Sequence, residues 1–257
     1  MGLKLCSLSS GSRGNCILVA SETTSLIVDA GISVSLVSKG LKLLGLSSPG
    51  ILITHAHSDH VANLCALTKK YAPDVFCHKD SFAAVNTKVR GGRLIPVDGD
   101  FFVGDLTVSP FKVSHDVPCV GYSIYNAGRK VSIVTDLGQV DEYALSALSG
   151  SDIVFIEANH DEDMVLGNPS YPYALKKRIL SGKGHLSNTA CALALLKIAK
   201  SGVKQVILGH LSQENNYPEL AHGTVSRILT ENGIKEGRDI SIAVAGFCKP
   251  SNVFEVV

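Results

Sequence analysis

Apolar residues fall into short blocks in the first half of the chain and into longer periodic stretches in the second. Residues 3–8, 16–21 and 25–29 are apolar runs bounded by Ser/Gly clusters, a pattern that predicts three strands. A helix is expected over 33–45. A strand buried on both faces is expected over 50–54, where Gly50-Ile51-Leu52-Ile53 is continuously apolar. Leu64, Leu67 and Tyr71 share one helical face, which predicts a helix over 60–71. Strands follow at 74–77, 94–97, 100–104, 106–114, 120–126 and 130–135, with a helical stretch near 80–88. The second half alternates: helices at 141–148, 171–181, 187–201 and 218–232, and strands at 152–157, 203–208 and 240–244. Runs of strands, with helix and strand returning in each half, predict two sheets packed face to face with helices outside. No Pro/Ser-rich linker interrupts the pattern, so one domain over 1–257 is expected.

Composition narrows the picture. With 45% hydrophobic and 18% charged residues and no Trp, the core is built from small aliphatics. A net charge of +1 leaves anionic and neutral substrates open, and without a basic tail any nucleic-acid contact has to come from a local patch. Seven Cys at 6, 16, 65, 77, 119, 191 and 248 form no C-x-x-C pair. That argues against a disulfide framework or a zinc knuckle and for a reducing compartment. The first ten residues show no charged-then-apolar leader, and no apolar run is long enough to span a bilayer. A cytoplasmic protein without membrane contact is the expectation.

The candidate chemistry is concentrated in His55-Ala56-His57-Ser58-Asp59-His60, directly after the apolar run at 50–53. Three imidazoles and a carboxylate within six residues crowd a single ion but serve two, with His55 and His57 turned one way and Asp59 and His60 the other. Such donors suit Zn, Mn or Fe in a hydrolytic site. Three later apolar runs also end on donors: 111–114 leads to His115, 131–135 to Asp136, and 206–209 to His210. Each alone reads equally well as a rim histidine or a helix cap. Together, in this order, they read as the remainder of a metal site.

This series resembles the motifs of metallo-β-lactamase-fold hydrolases along nearly the whole chain. The resemblance implies an α+β fold, an αββα four-layer sandwich with two divalent ions at the sheet edges, Zn2+ favoured and Mn2+ possible. It assigns His55, His57 and His115 to one ion, Asp59, His60 and His210 to the other, and Asp136 to a bridge. Sister branches differ: two-zinc lactamases usually carry Cys where Asp136 stands, and glyoxalase II-like enzymes carry Pro-Gly-His-Thr where this chain has Val113-Ser114-His115-Asp116. Long-form ribonucleases insert a domain where only 74 residues separate Asp136 from His210. The protruding Gly/Pro-rich arm of the tRNA-maturing endonucleases is not evident.

Gly184-His185-Leu186-Ser187-Asn188 opens an apolar helix, where free N–H groups attract phosphate and His185 is placed to protonate a leaving alkoxide. Lys176, Lys177, Arg178 and Lys183 crowd the residues before it, either as a solvated helix face or as a grip on a nucleic-acid backbone. With Leu8-Ser9-Ser10-Gly11-Ser12-Arg13-Gly14-Asn15, Glu157-Ala158-Asn159-His160-Asp161 and Gly209-His210-Leu211-Ser212-Gln213-Glu214-Asn215-Asn216, the segment is similar to the bacterial WalJ-like (YycJ-like) exonucleases. That implies a 5′→3′ exonuclease on DNA with a role in repair, in which hydroxide shared by two ions attacks phosphorus. Asp59 and His185 are the expected catalytic groups, and Ser10, Asn15, Lys183 and Ser187 the expected substrate contacts. His160 reads either as a partner behind the ligands or as structural, while His78 and His222 read as structural. Two alternatives stay open: a hydrolase of a small phosphodiester or thioester, and a metal-binding regulatory protein without turnover.

Overall fold

The computed structural model describes residues 2–46 and 49–257. The first sheet contains β1 (Leu3–Ser9), β2 (Cys16–Ala20), β3 (Ser25–Val28), β4 (Gly50–Ile53), β5 (Asp74–His78) and β6 (Arg93–Val97). The second contains β7 (Phe101–Val103), β8 (Leu106–Val113), β9 (Cys119–Asn126), β10 (Arg129–Val134), β11 (Ile153–Glu157), β12 (Gln205–Gly209) and β13 (Ser241–Val244). The last strand, β14 (Phe254–Val256), returns to pair antiparallel with β1, giving the orders β14-β1-β2-β3-β4-β5-β6 and β13-β12-β11-β10-β9-β8-β7. Strands β3 to β6 run parallel, as do β10 to β13; the rest pair antiparallel.

The two-residue period of a strand sorts each sheet's side chains between two apolar layers. In β10 and β11, Val131, Ile133, Ile153 and Phe155 point between the sheets, while Val134, Val154 and Ile156 point to the outer helices. In β4, Leu52 faces inward, and Ile51 and Ile53 pack outward with α1 (Val34–Leu43) and α3 (Leu64–Tyr71). The outer face of the second sheet is covered by α5 (Glu142–Leu148), α8 (Asn188–Ile198) and α9 (Pro218–Glu231). The result is the αββα sandwich expected from the sequence. Among the described residues no helix is long and apolar enough to cross a membrane.

The expected helix over 60–71 is broken. A short α2 (Ser58–Val61) starts earlier, and α3 begins only at Leu64. Two backbone bonds explain the break: the Asp59 carbonyl accepts the N–H of Asn15 at 2.9 Å, and the N–H of Asn63 turns to the Ala30 carbonyl. The loops after β1 and β3 thereby replace a helical turn, leaving Asp59 and His60 on one short rigid element. Helix α7 (Tyr173–Ile179) begins after Pro172, later than expected, and α8 ends at Ile198 before a short 3-10 turn. The helical stretch expected near 80–88 is α4 (Phe82–Asn86) preceded by a 3-10 turn, whereas the pattern did not reveal α6 (Glu162–Gly167) or the three-residue β14.

Tyr122 ties the sheets together, its fully buried hydroxyl donating to the Ile53 carbonyl at 2.8 Å, one residue from the start of the site. Tyr122→Phe is expected to lower stability by about 1 kcal/mol. Urea denaturation should show this as a reduced midpoint with unchanged slope.

Candidate metal centre

The site residues leave their strands at one common end of the sandwich. Asp29, Thr54 and His55, Asp136, Glu157 and His210 follow or end β3, β4, β10, β11 and β12, the carboxyl ends of the parallel strands, where open α/β sheets place their ligand sites. His115 arrives from β8. Asp29, Asp136 and His210 adopt left-handed backbone, at φ 65°, 58° and 55°. This region costs an L-residue on the order of 1 kcal/mol, and here it turns each side chain off its strand into the shared space.

The ring nitrogens have a consistent polarity. Thr54 Oγ1 donates to Asp29 Oδ2 at 2.9 Å, so it accepts the Nδ1–H of His55 at 3.0 Å. His60 gives its Nδ1–H to Asp29 Oδ2 at 2.7 Å, His115 to the Gly184 carbonyl at 3.3 Å, and His210 to Asn15 Oδ1 at 3.1 Å. The rings of His55, His115 and His210 are thereby oriented with an Nε2 lone pair toward the centre, as outer hydrogen bonds orient metal-binding imidazoles, and His60 Nε2 also lies 3.0 Å from Asn15 Nδ2. His57 is reversed: its Nδ1 lies 3.3 Å from His115 Nε2, and its Nε2 lies 3.4 Å from Asp116 Oδ1.

Two buried atoms at the centre, His55 Nε2 and Asp136 Oδ2, have no hydrogen-bond partner among the described residues. Asp136 Oδ2 is 3.1 Å from His60 Nε2, off the line of a hydrogen bond, and Asp136 Oδ1 is 3.3 Å from His210 Nε2. Burial opposes charge on Asp136, but His210, His60 and His55 outweigh it and hold the carboxyl well below the usual carboxylate range. Burial likewise opposes a charged His60; Asp29 and Asp136 outweigh it and raise the ring well above its ordinary value. An arrangement of inward lone pairs around a buried carboxylate calls for positive charge. The donor atoms lie within 4.8 Å of one another in four overlapping sets: His55/His57/His115, His55/His60/Asp136, Asp59/His60/His210 and Asp136/His185/His210. This donor set fits divalent metal.

His185 stands beside the cluster on the loop before α8. Its ring stacks on His210 with centroids 5.5 Å apart, and its Nδ1 is 2.7 Å from Glu157 Oε1. The other carboxylate oxygen of Glu157 accepts the N–H of Leu137 at 3.0 Å. Burial lowers the His185 pKa, but the Glu157 carboxylate more than reverses this and raises it to about 9. The cluster opens into a polar cleft of about 310 Å³ whose walls include Ser12, Asp59, Asp116, Arg178, Lys183 and His185.

The seven residues expected to bind metal are therefore gathered at one point, with His185 against them. The expected substrate contacts divide. Lys183 lines the cleft, whereas Ser10, Asn15 and Ser187 are buried and do not. Ser10 Oγ accepts the N–H of His210, Asn15 bonds His210 and Asp59, and Ser187 caps α8 and bonds Glu162. His160 is buried with its Nδ1 unpartnered among the described residues. His78 and His222 pair with Asp98 and Glu236, and neither lines the cleft. Sequence reasoning missed Asp29 and Glu157 as working groups, although both carry the signal used for Asp136: an acid ending an apolar run, Ser25-Leu26-Ile27-Val28-Asp29 and Ile153-Val154-Phe155-Ile156-Glu157.

Comparison with known proteins agrees with this architecture. Residues 25–211 match the beta-lactamase superfamily domain. The chain is 35% identical over 254 residues to the exodeoxyribonuclease YycJ of Bacillus anthracis, covering 94% of this chain and 95% of the relative. It is 33% identical over 253 residues to the exodeoxyribonuclease WalJ of Streptococcus pneumoniae, covering 94% of each. In structure it is similar to the metallo-beta-lactamase fold protein YhfI from Bacillus subtilis, with a TM-score of 0.72, 18% identity and 99% of each chain covered. A sandwich whose His- and Asp-bearing strand ends meet at one edge, matched in sequence along almost its full length, places this chain in the beta-lactamase superfamily, among its WalJ-like (YycJ-like) members.

Proposed function

We propose that this protein is a metal-dependent phosphodiesterase that degrades DNA as a 5′→3′ exonuclease. One observation carries the reading: the cleft exposing the His/Asp cluster also holds the cations of Arg178 and Lys183, in a chain similar over 94% of its length to exodeoxyribonucleases. The direction of cleavage and a place in DNA repair rest on the family resemblance, and a cytoplasmic setting agrees with the seven free cysteines.

In this reading His55, His57 and His115 would hold one divalent ion and Asp59, His60 and His210 a second, with the Asp136 carboxylate available to both. Zinc is favoured, and manganese suits the same donors. Bound there, the ions supply a water acidic enough to ionise near neutral pH and positive charge against the phosphate. Arg178 and Lys183 draw the backbone into the cleft. The Asp59 carboxylate orients the attacking water. His185, its Nδ1 fixed by Glu157, presents Nε2–H to the leaving oxygen, which departs as the alcohol. Ser10, Asn15 and Ser187 support the donors and the α8 loop from behind, and Lys183 is the substrate contact.

Metal removal tests the centre. Chelation should lower the melting temperature, and added Zn2+ or Mn2+ at a hundred times its Kd should restore about 2.7 kcal/mol; a melting curve indifferent to metal would count against the site. Digestion of 5′- and 3′-end-labelled DNA and RNA, with Zn2+ or Mn2+ added separately, tests the activity. The expected pattern is early release of the 5′ label from DNA as a mononucleotide. Asp59→Ala should abolish hydrolysis, and His185→Ala should slow it about 10²- to 10⁴-fold with metal content unchanged. Turnover of a chromogenic phosphodiester with none of DNA would favour a small-substrate hydrolase. Metal-replete protein inert toward both would favour a regulatory role.

A further inference from the structure

Asn159, just beyond β11, lies outside the cleft lining and is nearly fully buried, yet it joins the segments that carry His185 and His210. Its N–H donates to the Leu186 carbonyl at 2.8 Å, on the residue after His185. Its own carbonyl accepts the N–H of Ser212 at 2.7 Å and Asn216 Nδ2 at 3.1 Å. Its side-chain Nδ2 donates to the carbonyl of His210 at 2.8 Å. On the other side of His210, Ser10 Oγ accepts the backbone N–H at 2.7 Å. His210 is thus held through both of its backbone polar groups at φ 55°, a conformation it would otherwise leave. Relaxing that backbone would carry its Nε2 away from Asp136 Oδ1, now 3.3 Å distant.

We propose that Asn159 is a positioning residue for His210: its carboxamide locks the left-handed backbone that aims the imidazole at the centre. The proposal rests on the reading of the cluster as a two-ion site. Its signature is asymmetry, because Asn159 touches the segment carrying His210 but none of His55, His57 and His115. Asn159→Ala should weaken the ion held by Asp59, His60 and His210 by about 10- to 100-fold and leave the other affinity unchanged.

Titration of the metal-free protein with Zn2+ against a chromophoric chelator measures both affinities, and Co2+ absorption reports the geometry of each site. Asn126→Ala serves as the comparison for simple loss of a buried carboxamide, since among the described residues Asn126 Nδ2 bonds Asp105 alone, through its backbone and side-chain oxygens. That variant should lower the melting temperature and keep both wild-type metal affinities. Two wild-type affinities in Asn159→Ala, or equal weakening of both ions, would overturn the proposal. Wild-type protein that binds fewer than two ions would remove the two-ion reading together with it. If Asn159→Ala does not fold, Ser10→Ala, which frees the opposite side of His210, should show the same selective loss; two unchanged affinities there would overturn the proposal equally.

Discussion

The buried Asp136 carboxylate among inward-turned imidazoles is the constraint on which the rest of this structure depends. Removing a carboxylate from water is costly unless positive charge or hydrogen bonds replace the lost solvation. Asp136 has His60 and His210 close by, while its Oδ2 and the facing His55 Nε2 lack hydrogen-bond partners among the described residues. Around this pair the protein arranges groups that fix orientation. Asp29 and Thr54 set the rings of His55 and His60, Asn15 that of His210, and the Gly184 carbonyl that of His115. The sandwich supplies the rigidity, since Asp29, Thr54, His55, Asp136 and His210 stand just past the ends of strands whose side chains are packed on both faces.

Packing reaches into the chemistry at Gly209. A Cβ there would lie 2.2 Å from the Phe155 ring, inside the core between the sheets. The Phe155 ring can therefore lie against the end of the strand that delivers His210 only because its last residue has no side chain. Gly184 plays a comparable part, since a Cβ would meet the carbonyls of Arg178 and Ile179 at 2.2 Å. The close passage brings α7, with Arg178, against the His185 loop and lets the Gly184 carbonyl reach His115. Two close approaches that leave no room for a Cβ, one to a ring and one to backbone, thus flank a donor and a cation-bearing wall.

Much of this was legible in the sequence because the signals were local and repeated. A His-x-His-x-Asp-His run after a buried strand is dense enough to stand alone. The short apolar runs bounded by turn residues, with helix and strand returning in each half, gave the layered architecture. What escaped depended on distant chain segments. The break between α2 and α3 arises because Asn15 takes a carbonyl that a continuous helix would use, a contact across 44 residues. Ser10, Asn15 and Ser187 sit in polar motifs that read as cleft-lining, but their polar atoms are committed to His210, Asp59 and Glu162 inside the protein. Asp29 and Glu157 were visible as acids ending apolar runs, but that alone does not separate a residue facing the metal from one that braces an imidazole behind it.

The hydrogen bond from His210 to Ser10 joins positions 200 residues apart, and β14 pairs with β1 at the opposite end of the chain. Contacts of such long sequence separation close late, after the loop entropy between them has been overcome. During synthesis His60 leaves the ribosome 150 residues ahead of His210. The growing chain therefore displays half of a metal-binding cluster well before the residues that enclose it exist. A cation captured at that stage has open positions and exchanges with the surroundings. The site is enclosed only when both sheets are in place, because its donors come from strand ends of each.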